Sequence, residues 1–60
     1  MKPGNLTLAV RELTDARNFL RAANLEASGV ESIILIRLIG ETERLRREAE
    51  ELRAAKEAGR

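Results

Sequence analysis

The run Ile33-Ile34-Leu35-Ile36-Arg37-Leu38-Ile39 constrains this chain more than any other stretch, because only Arg37 interrupts a row of large apolar side chains. A helix that packs one face against a core needs only about half of its positions apolar. This segment therefore carries more oily surface than one neighbouring helix can cover. A chain of 60 residues forms one domain at most and buries a small share of its surface on folding. Small scaffolds make up the deficit with disulfides, a metal or oligomerisation. With no Cys and no His in the sequence, disulfides are impossible and a zinc site lacks its usual ligands. Oligomerisation is the remaining route.

Charged residues make up 35% of the chain and hydrophobic ones 43%, with a formal charge of +1. That balance calls for neither nucleic acid nor a membrane surface. An Ala, Glu, Leu and Arg mixture is what amphipathic helices and coiled coils use. The start, Met1-Lys2-Pro3-Gly4, runs into amphipathic sequence instead of an apolar secretory core. The Ile33 to Ile39 run is also far shorter than the roughly 20 residues that span a bilayer. A cytoplasmic location is the expectation, with no membrane partner.

Along the chain, residues 1–4 read as a flexible lead, since Pro3 and Gly4 discourage regular structure. Asn5 is placed to cap a helix. Leu6, Ala9, Leu13, Ala16, Leu20, Ala23 and Ala27 then fall in alternating steps of three and four. This is a heptad with large and small residues in turn, which lets a second helix approach closely. It predicts a first helix at about 5–27, its stripe widened by Val10 and Phe19. The turn lies in Leu25 to Ser32, where Gly29 suits a left-handed ending backed by Val30. Ser28 and Glu31 also spell a capping box for the next helix, and Ser32 is read as a second cap.

After the turn, Leu35, Leu38, Thr42, Leu45, Ala49, Leu52 and Lys56 repeat the same spacing, predicting a second helix at about 30–58. Opposite charges stand four apart at Glu43–Arg47, Arg44–Glu48, Arg46–Glu50, Arg47–Glu51 and Arg53–Glu57, each pair worth a few tenths of a kcal/mol. The fold expected is all-α: a hairpin of two helices associating into a four-helix bundle or larger helical oligomer. The competitor is an α-β-α chain, because four β-branched Ile residues followed by Gly40 suit a strand. Such a strand would need a copy of itself in a second subunit to complete an intermolecular two-stranded sheet.

Catalytic chemistry finds few candidates. Without His or Cys there is no nucleophile and imidazole pair and no imidazole base, so an enzyme is not expected, nor a cofactor. Glu41 and Glu43 fall on different faces of a helix, whereas a hard cation wants several converging oxygens. The segment LEASGVES resembles in spacing the turn of helix-turn-helix domains. There, however, the second helix offers polar side chains to base edges, and Ile33 and Ile36 cannot do so. A basic face on the first helix, Arg11, Arg17, Asn18 and Arg21, is the alternative nucleic-acid contact, and two such faces in a dimer could grip a phosphate backbone. Arg37 either reaches past its neighbours to water or pairs with Glu31 or Glu41.

The reading is thus a homo-oligomeric protein–protein interaction or scaffold module, a small regulator that docks its helices. Its expected partner is a second copy, with another helical protein as the next candidate. The expected interface comprises Leu13, Leu20, Ile33, Ile34, Ile36, Leu38, Ile39, Leu45 and Leu52. Alternatives are a small dimeric nucleic-acid-binding regulator, or a designed or excised assembly module without a natural ligand. Heptad regularity fits the last, while Phe19, Asn24 and the dense Ile run are less idealised than design produces.

Overall fold

A computed structural model describes residues 4–59, and the expected lead at 1–3 lies outside them. Two helices occur among the described residues, α1 at Asn5–Leu25 and α2 at Val30–Ala58. No strand occurs among the described residues, so the α-β-α alternative is set aside: Ile33 to Ile39 are helical throughout. A helix satisfies its own backbone donors, whereas a single strand per chain depends on a partner for every ladder bond. That advantage outweighs the strand preference of four Ile residues.

The turn between the helices differs in detail from the capping expectations. Helix α1 ends at Leu25, two residues short of Ala27, with Glu26 N–H donating to the Ala23 carbonyl at 3.1 Å and Ala27 N–H to that of Asn24 at 3.2 Å. Gly29 takes φ 62° and ψ −134° and sits directly before α2, a backbone conformation L side chains rarely adopt. It occupies the N-cap position itself, without a side chain, so Ser28 caps nothing. Ser32 is not a cap either: its hydroxyl donates to Asn24 Oδ1 at 2.8 Å, tying the two helices together beside the turn. At the other end Gly4, not Asn5, is the N-cap of α1, again without a side-chain bond. Val30 and Leu25 remain 72% and 88% exposed, so no apolar contact closes the turn.

The hairpin is antiparallel, as shown by Asn24 meeting Ser32 while Arg17 and Arg21 both reach Glu43. These pairings put Leu13 roughly level with Arg46 and Leu6 with Arg53, so the last turn of α2 overhangs the start of α1. The half-buried residues define the seam. On α1 and just past its end they are Leu6, Val10, Leu13, Arg17, Leu20, Asn24 and Ala27, with Thr7, Ala9 and Thr14 beside them. On α2 they are Ser32, Leu35, Ile39, Thr42, Arg46, Ala49 and Arg53, flanked by Leu38, Glu43 and Glu50. Both rows keep the alternating three and four spacing of a heptad. The seam is therefore shifted from the expected one: Ala16 and Ala23 are exposed, and Arg17 and Asn24 stand in their place. Helix α2 shows the same shift, with Arg46 and Arg53 inward and Leu45 and Leu52 outward.

Polar groups hold this seam. Arg21 Nη2 lies 2.8 Å from Glu43 Oε1, and Arg17 Nη1 lies 3.7 Å from the same oxygen. Glu43 thus reaches across to α1, not along its own helix to Arg47. Arg44–Glu48 at 3.5 Å and Arg46–Glu50 at 2.9 Å form as the charge spacing predicts. Thr14 and Thr42 turn their hydroxyls back onto the Val10 and Leu38 carbonyls at 2.9 and 2.8 Å, which satisfies them locally. No residue among those described is fully buried.

Candidate association face

The position of each side chain around its helix follows from about 100° of rotation per residue. The residues one place before the seam rows include Ala9, Ala16 and Ala23 on α1, with Asn5, Glu12, Phe19 and Glu26 on its outer side, and Leu38, Leu45 and Leu52 on α2, with Glu31 in line with them and Ile34, Glu41 and Glu48 on the outer side. In an antiparallel pair, reversing the chain direction and swapping sides each invert the sense of rotation, so the two inversions cancel. These rows therefore share one broad face of the hairpin. Ile34 is 45% exposed, Leu45 46% and Leu52 53%, and Phe19, 76% exposed, lies further out beside the alanine row.

The residues one place after the seam rows share the opposite face, which is mostly polar: Thr7, Arg11, Thr14, Asn18 and Arg21 on α1, with Gly40, Glu43, Arg47 and Glu50 on α2. Large apolar residues enter it only near the turn, at Leu25, Ile33 and Ile36. The ribbon thus has one face with alanine and leucine rows along its length, flanked by Glu12, Glu26, Glu31, Glu41 and Glu48, and an opposite face that is mostly polar.

This geometry explains the mismatch between the apolar heptads and the seam. The heptad stripe on each helix points about 45° away from the neighbouring helix, midway between the seam and the apolar face. In a four-helix bundle every helix has two neighbours, and its core-facing direction bisects them. The hairpin supplies one neighbour to each helix, and the stripe is turned partly away from it toward the open face.

The nine expected interface residues are accordingly divided. Leu13, Leu20, Leu38 and Ile39 are half-buried within or beside the seam. Ile34, Leu45 and Leu52 lie on the open apolar face. Ile33 and Ile36, 68% and 59% exposed, fall on the back of α2 and its opposite edge, away from the other seven. Arg37 apart, the run is apolar all round the helix, and only the direction of the seam separates its faces.

Charged candidates are placed as follows. Arg17 is a seam residue with its side chain 20% exposed, not part of an outer basic face, and its guanidinium also donates to Asn18 Oδ1 at 3.2 Å. Arg21 is engaged by Glu43, so both Arg17 and Arg21 of that group are drawn to an acid on α2. Arg37 pairs with Glu41 at 3.8 Å, both well exposed, an arrangement worth little in water. On α2, Glu41 and Glu48 fall about 40–60° outside the leucine row, at its rim, and their partners Arg37 and Arg44 neutralise that rim. Among the described residues no group of three or more Asp, Glu, His or Cys is placed to hold a metal. No helix there is long and apolar enough to cross a membrane.

No family model, curated protein or solved structure matches this chain. The functional reading rests on the geometry of the two faces.

Proposed function

We propose that this chain is a non-enzymatic, homo-oligomeric interaction module whose working surface is the face formed by Ala9, Ala16, Ala23, Ile34, Leu38, Leu45 and Leu52. The observation that carries the reading is the absence of any fully buried residue among those described, in a chain that still exposes a lengthwise apolar face. A domain with a half-buried seam and no fully buried residue recovers little apolar burial against the backbone entropy of ordering its residues. A second hairpin on the open face completes the core toward which both heptads point. Association is driven by removing apolar surface from water, at about 25 cal/mol per Å².

Sedimentation from micromolar to millimolar chain tests the proposal. The expected result is a dimer or higher oligomer, with Leu45→Asp shifting it to monomer because an unpaired carboxylate would be buried. The matching substitution Arg47→Asp, on the polar face, should leave the assembly intact. A folded wild-type chain that stays monomeric over the whole range overturns it.

A further inference from the structure

The open face has a size pattern that selects one way for a second copy to dock. Its α1 half is a row of small residues, Ala9, Ala16 and Ala23, and its α2 half is a row of large ones, Leu38, Leu45 and Leu52. The cross-helix pairings Asn24–Ser32 and Arg17/Arg21–Glu43 fix how the rows stand along the ribbon. Leu38, Leu45 and Leu52 lie within about two residues, roughly 3 Å of axial rise, of the levels of Ala23, Ala16 and Ala9. Small and large rows therefore run side by side at matched heights.

We infer that the partner is a second copy docked face to face with both turns at the same end, so that each leucine row sits in the other chain's alanine row. A two-fold axis parallel to the helices keeps every level and exchanges left for right, placing α1 over the partner's α2. Each large side chain then meets a small one, the condition for close interdigitation, and every neighbouring helix pair is antiparallel. With the turns at opposite ends, alanine rows would face alanine rows and leucine rows would face leucine rows. The helices would then sit close on one side and wedged apart on the other.

Surface area agrees with a second copy as the occupant. The hairpin exposes 4859 Å², whereas a compact monomer of 6.7 kDa is expected to expose about 3,900 Å². The excess of about 950 Å², spread over the whole ribbon, leaves room for the roughly 800 Å² that each partner buries in a standard stable interface. The inference rests on the self-association proposed above and adds orientation and register to it.

Two measurements on the full chain decide it. A spin label on Ser28→Cys, at the exposed turn, should report an inter-label distance of about 10–20 Å if the turns stack across the bundle, given interaxial spacings of about 8–10 Å. Turns at opposite ends would place the labels a helix length apart, about 35 Å. Second, Ala16→Leu and Leu45→Ala should each weaken association at least tenfold, and the two together in one chain should restore it to within about threefold of wild type. Long label distances in a wild-type-strength dimer, or a double variant no better than the worse single one, overturn the orientation and leave self-association standing. A monomeric wild-type chain overturns both.

Discussion

Gly29 and Gly40 illustrate how differently one residue type can be used within a short segment. Gly29 needs its freedom: with φ at 62° an added Cβ meets no atom within 4 Å, so the penalty for a side chain lies in the backbone alone. Gly29→Ala should cost about 1–3 kcal/mol, read as a lower midpoint in a urea melt. Gly40 lies inside α2 in ordinary helical conformation, on the polar face, with nothing within 4 Å of a built Cβ. Gly40→Ala should therefore raise stability by about 1 kcal/mol, and the gain should persist in the oligomer because that face is outside the proposed interface. A loss would show that Gly40 is approached by another chain. The turn was legible at this scale from Gly29, but the caps were not. The pattern S-x-x-E locates a helix start only when the serine holds the N-cap, and here Gly29 displaces Ser28 while Asn24 claims the Ser32 hydroxyl.

Between elements, the two helices were legible from periodicity and the seam joining them was not. The apolar stripe spans enough of each helix for two neighbours, and spacing alone does not say which edge meets the intramolecular one. Cross-helix polar bonds make that choice: Glu43 with Arg17 and Arg21, and Ser32 with Asn24. The choice has a cost, since the Nε atoms of both Arg17 and Arg46 are shielded from water without a hydrogen-bond partner. Arg46 stands in the seam opposite Leu13 with its side chain 25% exposed, and its partner Glu50 is 41% exposed. Replacing a half-buried ion pair with a well-packed apolar residue is often stabilising. Arg46→Leu should thus stabilise the hairpin by about 1 kcal/mol, measured by chemical denaturation, since Glu50 can turn to water and the shorter apolar side chain would extend the contact with α1. A net loss would show that the pair with Glu50 outweighs the apolar seam.

At the scale of the whole molecule, the shape says what the apolar run in the sequence only suggests. The Cα trace extends 48 × 20 × 10 Å with a radius of gyration of 14.2 Å, whereas a compact chain of this length has about 10.4 Å. A ribbon one helix thick has no interior, and under the proposed association its stability is tied to whatever covers the apolar face. If that cover is another copy, folding and association are one equilibrium, and thermal stability depends on protein concentration. Each tenfold increase in concentration adds about 1.4 kcal/mol to the dimer. With an unfolding entropy of about 2.1 cal/mol/K per residue over both chains, that corresponds to a Tm rise of about 5 °C per decade. Circular dichroism melts across two decades of concentration should show this rise in the wild type. The same melts on Leu45→Asp should show a chain largely unfolded at every concentration, with no cooperative transition, because a lone ribbon lacks the second layer. A wild-type Tm independent of concentration would mean that one ribbon is stable without a second layer, which its half-buried seam gives no physical means to achieve.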